Sequence, residues 1–148
     1  MQKFPTAVLA ASIGLAGWAT DARPLSATGK VIAVLAGDLF VGEAVGHLSG
    51  AGTLAIHSQK NPGLTCSGEF TSSAALGGLG QMQCSDGATA TFSFKRMNIF
   101  RGYGVGSFSR GAMSFTYGLS AEEAGPYLAL PVGKQLRGSG TELTLVDL

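Results

Sequence analysis

The sequence contains few of the residues from which catalytic and metal sites are built. Its 148 residues include only two histidines and two cysteines, and charged residues make up 13% of the chain. His57 has no acidic residue three or four positions away, and Glu43, four positions before His47, lies in a segment with the pattern of a β-strand instead of a helix. Cys66 and Cys84 are too far apart for a CxxC motif, and no second pair could complete a tetrahedral site. We therefore expect neither a metal nor a cofactor.

Two common enzyme motifs and a strong charge imbalance are also missing. The chain has no Gly-x-Ser-x-Gly elbow of a serine hydrolase. It has no Gly-x-Gly-x-x-Gly between a strand and a helix, which a dinucleotide site would require. The formal net charge of +1 gives no reason to expect nucleic acid as a partner. These absences favour a protein that is not an enzyme.

The N-terminus has the layout of a secretory signal peptide. Lys3 is followed by an uncharged apolar stretch over residues 4–19, and small residues lead up to Ala22. We predict a signal peptide over residues 1–22 and a single domain over residues 23–148, in a periplasmic or secreted protein. The apolar stretch is shorter than the roughly 20 residues that cross a bilayer, so no membrane span is expected after cleavage. Retention of this segment as an anchor is the alternative.

Export determines how the two cysteines are interpreted. In an oxidising compartment, an even number of cysteines more often forms a disulfide than a redox or metal site. The sequence therefore predicts a Cys66–Cys84 disulfide.

An internal repeat accounts for many of the glycines. At an offset of 24 residues, Gly78-Leu79-Gly80 aligns with Gly102-Tyr103-Gly104. A looser earlier copy aligns Gly50-Ala51-Gly52 with the same position, and a partial fourth copy begins near residue 112. Periods of this length indicate stacked supersecondary units. The structural glycines of this scheme are Gly42, Gly50, Gly52, Gly68, Gly78, Gly80, Gly102 and Gly104.

Each repeat has the pattern of a β-hairpin, with two short strands around a loop of small and polar residues. If Cys66 lies opposite Cys84, then Phe70 lies opposite Gly80, and we expect the ring to cover the bare glycine backbone. The corresponding pairs in the sister hairpins are Phe94 with Gly104, Ala90 with Phe108, and Phe40 with Ile56. The predicted fold is all-β, with stacked antiparallel hairpins at a period of about 24 residues.

The chain changes character at both ends of the repeats. Residues 25–39 predict an opening strand, and the alternation of Leu143 and Leu145 predicts a closing strand. Between the repeats and that closing strand, Ser120 and Glu123 have the spacing of a helix capping box, and Gly125-Pro126 should end the helix after about one turn.

The repeat resembles MORN-type hairpin repeats. Phe40-Val41-Gly42 and Gly50-Ala51-Gly52 match the two ends of that motif. Cys66-Ser67-Gly68 and Gly78-Leu79-Gly80 match it with cysteine in the aromatic position, whereas Ala90-Thr91-Phe92 departs from it. The resemblance covers residues 38–118. It implies a scaffold or a contact surface for proteins or lipids, without naming a ligand.

One small basic and aromatic cluster is the candidate binding site. It consists of Lys95, Arg96, Arg101 and Tyr103. We expect it to lie in an exposed loop and to meet an acidic group of an envelope protein, a glycan or a lipid head group. The predicted function is an exported binding or scaffold protein of the cell envelope, acting through the loops around residues 71–76 and 95–101.

Two alternatives from other functional classes remain open. Glu43 and Glu69 occupy equivalent repeat positions and would project from the same face, as a pair of hydrolase carboxylates would. A concave pocket around both residues would favour a hydrolase that acts on envelope material, and an exposed convex ladder of acids would argue against it. The second alternative is an inhibitor that presents a rigid, disulfide-stiffened loop to a secreted enzyme.

Overall fold

The computed structural model describes residues 26–73 and 77–148, and the predicted signal peptide lies outside these ranges. Eight antiparallel strands pair in chain order, and the last strand pairs with the first to close a barrel. The barrel strands are β1 (Ser26–Leu35), β2 (Asp38–His47), β3 (Ala51–Ser58), β4 (Thr65–Ser73), β5 (Gly77–Cys84), β6 (Thr89–Asn98), β7 (Arg101–Phe108) and β8 (Gly111–Tyr117).

The predicted all-β hairpin fold is confirmed, and the hairpins form a ring. The three repeats correspond to β2–β3, β4–β5 and β6–β7, and the partial fourth copy supplies β8. The missing half of that fourth hairpin is β1, which places Val31 opposite Tyr117. Closure leaves no barrel strand with an unpaired edge, which the repeat pattern alone did not predict.

The predicted opening strand is wrong in one respect, because it contains a turn. Residues 25–39 are divided between β1 and β2 by Ala36 and Gly37, whose φ angles are 49° and 85°. Positive φ at both central residues gives a two-residue hairpin turn the twist of the flanking strands. Alanine rarely adopts positive φ, so of the two residues that usually mark such a turn in a sequence only the glycine is present.

The predicted strand register holds in two hairpins and fails in one. Cys66 lies opposite Cys84, and Phe94 opposite Gly104, as expected. In the first hairpin, however, Phe40 lies opposite Ser58 instead of Ile56. Gly50 adopts a φ of 94° and donates its N–H to the carbonyl of His47, which closes a tight loop and shifts the register by two residues.

Each aromatic ring covers a glycine of a neighbouring strand, as expected. However, it is the neighbour on the other side of the ring's own strand from the one predicted. A Cβ added at Gly80 would collide with Phe92, and one added at Gly104 would collide with Phe115. Phe70 lies against Gly52 instead of Gly80, and Phe94 lies against Gly78 instead of Gly104. Each ring therefore leans towards one of its two neighbouring strands. This lean was the part of the prediction that was wrong.

The chain after the barrel packs on the outside of β8, β1 and β2. It forms the helix α1 (Ala121–Ala124), two 3-10 turns (Gly125–Tyr127 and Gly140–Glu142) and the strand pair β9 (Lys134–Arg137) and β10 (Thr144–Asp147). The predicted capping box of Ser120 and Glu123 and the closing strand are both confirmed. Leu119, Leu128 and Leu143 of this segment are buried against the outward side chains of β1 and β2.

In the described ranges, no helix has the length and apolar character needed to cross a membrane.

Candidate ligand-binding site

The two ends of the barrel are built differently. At one end, Phe40, Met82 and Leu35 are almost completely buried and fill the interior. The Cys66–Cys84 disulfide, with Cα atoms 3.9 Å apart, lies in the same packed region. This end is closed, and its disulfide is compatible with an oxidising, exported location.

The other end contains a cavity of about 600 Å³ that opens between the hairpin loops. Inside, the cavity is lined by Leu54, Ile56 and Met113 and by four phenylalanine rings. These rings are Phe70, Phe92, Phe94 and Phe115. An eight-stranded barrel is just wide enough either to be filled by its own side chains or to hold one small ligand. Here the closed end is filled and the open end is hollow.

The glycines explain why the open end is hollow. Gly52, Gly78 and Gly102 project no side chain into the barrel, and the tips of the Phe70, Phe94 and Tyr117 rings occupy the space that a Cβ would take there. The rings therefore cover the wall without filling the centre. They also hold one another edge to face, since the centroids of Phe70 and Phe94 are 5.5 Å apart and those of Phe94 and Tyr117 are 5.8 Å apart.

The rim of the cavity carries exposed apolar side chains. Leu48, from the β2–β3 loop, is 75% exposed, while Ile99 and Phe100, from the β6–β7 loop, are 57% and 61% exposed. All three line the cavity entrance. Exposed apolar side chains around an opening are typical of surfaces that contact a protein, a membrane or a ligand.

A small polar group interrupts the apolar wall near the rim. The Nη2 atom of Arg96 donates to the Oγ atom of Ser72 over 2.6 Å. The Nε atom of Arg96 and the hydroxyl of Tyr117 are buried without a hydrogen-bond partner among the described residues, and so is Nδ1 of His47. Burial raises the pKa of Tyr117, which the positive charge of Arg96 partly offsets. The hydroxyl therefore stays protonated at neutral pH and can donate a hydrogen bond.

The cavity is electrostatically positive. Among the described residues that line it, Arg96 carries a permanent charge and none is Asp or Glu. Within the described ranges, the ion pairs of the protein lie elsewhere and do not include Arg96. An unneutralised guanidinium in an apolar setting favours an anionic group beside it.

Strand alternation separates the four residues of the sequence-predicted cluster. Arg96 faces the cavity, whereas Lys95 and Tyr103 line a shallow open groove on the outer wall. Tyr103 stacks on Tyr127 with ring centroids 4.4 Å apart. Arg101 forms an ion pair with Glu123 of α1. The loop expected at residues 95–101 consists mostly of strand residues. In the loop expected at residues 71–76, positions 74–76 lie outside the described residues.

The two carboxylates of the hydrolase alternative lie outside the cavity. Glu43 and Glu69 are exposed on the outer wall, on β2 and β4, with β3 between them. Neither of them lines the mouth cavity. In the described part of the chain, no cluster of three or more His, Cys, Asp or Glu side chains could hold a metal ion.

Sequence reasoning missed Tyr117 as a site residue, and it included Ser72 only as part of the predicted loop at residues 71–76. Both lie on inward-facing positions at the open ends of their strands. Alternation within β8, where Met113, Phe115 and Tyr117 share the inner face, was the available signal. Unless the barrel is known to close, the sequence does not show what the inner face of β8 packs against.

Comparisons with known proteins give no family for this chain: no family model, curated protein or solved structure matches it.

Proposed function

We propose that this chain is an exported binding protein, without catalytic activity, that holds a small apolar or amphipathic molecule in the mouth of its barrel. The observation that carries the proposal is the cavity of about 600 Å³ with its aromatic wall. Small-molecule sites typically have volumes of about 300 to 1,000 Å³, mostly apolar walls and a few converging polar groups.

The difference in packing between the two ends supports the interpretation of the cavity as a ligand site and not as the result of a poorly packed core. The same eight strands pack tightly around Met82 and the disulfide, so the sequence is able to fill a barrel of this size. At the open end it places glycines where larger side chains would close the space. The exposed apolar rim gives an apolar molecule a route into the cavity.

The proposed location is the periplasm or the extracellular medium, after removal of residues 1–22. The signal-like N-terminus and the disulfide support it. Intact mass of the protein purified from its native envelope tests this location. A mass that begins at Arg23, two hydrogens light and resistant to alkylation, is expected, whereas a full-length mass with two free thiols would contradict it.

The MORN-like identity of the hairpins is a further proposal, supported by the repeat offset of 24 residues. Under this proposal, hairpin repeats that could serve as a contact surface have closed around a cavity. Partners then meet the protein at the loops around the mouth.

A neutral fluorescent probe such as N-phenyl-1-naphthylamine tests the proposed function. We expect saturable binding with one probe per chain. Ala44→Phe, which projects a ring into the cavity from β2, should weaken binding about tenfold or more. Ala55→Phe is the matched control, because Ala55 is exposed on the outer wall of β3. It should leave binding unchanged.

Two results would contradict the proposal. One is the absence of probe binding to the folded wild-type protein. The other is equal binding by the Ala44→Phe and Ala55→Phe variants, both folded by circular dichroism, because the probe would then bind outside the barrel.

A further inference from the structure

Arg96 and Tyr117 belong to one row of paired residues, on strands separated by a single strand. Arg96 pairs with Gly102 across β6 and β7, and Gly102 pairs with Tyr117 across β7 and β8. The phenol of Tyr117 occupies the space that a Cβ on Gly102 would take. The bare glycine thus allows the tyrosine ring to lean from β8 towards the arginine.

The two side chains line the same cavity, and each carries a buried donor without a partner among the described residues. Arg96 uses Nη2 for Ser72, while its Nε–H and the hydroxyl of Tyr117 are buried without partners among the described residues. Burying donors without acceptors is costly, and the cost is larger for a charged group. An acceptor that enters with a ligand would remove this cost at both atoms together.

The charge of the site selects the kind of acceptor. One guanidinium and one neutral phenol line the cavity, and none of its described lining residues is acidic. A carboxylate has a single negative charge and two oxygens that can accept from an arginine and a second donor together. A phosphate monoester carries nearly two negative charges, more than the single arginine of this cavity balances.

We propose that the ligand is an apolar molecule with a carboxylate, and that Arg96 and Tyr117 bind this carboxylate just inside the mouth. The apolar part then extends inward along the phenylalanine rings towards Ile56 and Met113. This inference rests on the proposed function and names the ligand class of the same cavity.

A matched pair of probes tests it: 11-(dansylamino)undecanoic acid and its methyl ester, which share one tail and differ in charge. The wild-type protein should bind the acid about tenfold or more tightly than the ester. Arg96→Met should abolish this preference by weakening the acid and leaving the ester unchanged. Tyr117→Phe should reduce the preference by a smaller factor.

Arg137→Met is the control, because Arg137 is exposed on β9, outside the barrel. It removes the same charge and should preserve the preference for the acid. Should Arg96→Met fold poorly, Arg96→Gln provides the second test: it removes the charge, keeps a polar side chain beside Ser72, and should likewise abolish the preference for the acid.

The possible outcomes separate the two proposals. Equal affinity of the wild-type protein for acid and ester, or a preference that survives Arg96→Met, overturns the carboxylate inference while the cavity still binds. Failure of both probes to bind the folded protein overturns the proposed function as well. Loss of the preference in Arg137→Met also contradicts the inference, because long-range charge would then explain the selectivity.

Discussion

The two halves of the barrel contain the same eight strands and are packed differently. In the closed half, buried Phe40, Met82 and the disulfide occupy the interior. In the open half, inward glycines under aromatic rings leave about 600 Å³ unfilled. The comparison indicates that one repeat pattern can build a filled end and a hollow end of the same barrel. The difference lies in which inward positions carry large side chains and which are glycine. Stability should therefore depend on the closed half, and binding on the open half.

The largest expected effect comes from removing the disulfide. Cys66→Ala combined with Cys84→Ala should lower the free energy of unfolding by about 3 kcal/mol, because the loop between the cysteines is no longer closed in the unfolded chain. Urea denaturation measures the change. Probe binding by the folded variant should persist, since neither cysteine lines the cavity. Complete loss of binding by a folded variant would instead indicate a functional role for the cysteines.

Truncating one buried side chain in each half tests the comparison directly. Met82→Ala should cost about 3 kcal/mol, because it leaves a void in a packed region. Leu54→Ala should cost nearer 1.5 kcal/mol, because Leu54 already borders the cavity and loses mainly its transfer free energy. Urea unfolding of both variants provides the measurement. Equal losses would mean that the open half is packed as tightly as the closed half.

A methyl group on the glycine wall should have the next largest effect. Gly104→Ala places a Cβ against the Phe115 ring and the carbonyl of Ser93, and should cost about 2 kcal/mol. Gly63→Ala is the control, because Gly63 is exposed, has no positive φ, and an added Cβ would make only an ordinary contact of 3.7 Å with Oδ1 of Asn61. It should change stability by no more than about 0.5 kcal/mol. Similar values for both variants, in thermal or urea unfolding, would contradict the role given to the glycines.

The smallest expected effect is an alkaline change in stability. Burial raises the pKa of Tyr117 above its usual value of 10.0, so the unfolded chain loses this proton at a lower pH than the folded protein does. The associated stability is present below about pH 10 and is lost as the pH rises through the folded pKa. Tyr117→Phe should therefore lose less stability between pH 9 and pH 11 than the wild type, as measured by urea midpoints. Parallel curves would show that the phenol is not buried.

Local rules predicted much of the fold from the sequence. The offset of 24 residues identified the hairpins, the opposition of Cys66 and Cys84 set one register correctly, and Ser120 with Glu123 located the helix. The first hairpin failed because the positive φ of Gly50 decides its loop. Such a conformation is only weakly encoded in a glycine-rich sequence.

The site was harder to predict because it depends on closure. A repeat pattern assigns residues to faces, but it does not reveal that β1 and β8 meet and enclose one of those faces. Lys95 and Arg96 are adjacent in the chain and lie on opposite sides of the wall. Only the closed barrel distinguishes a cavity residue from a surface residue and brings Tyr117 to Arg96.

The most direct test of the central claim is an NMR titration of the isotopically labelled protein with dodecanoic acid. The account predicts chemical shift changes at Ala44, Leu54 and Tyr117, with Cys66, Met82 and Phe108 at the closed end unaffected. Changes centred on Lys95 and Tyr103 would place the ligand in the outer groove instead. That result, or the absence of changes at saturating acid, would contradict a binding site in the mouth of the barrel.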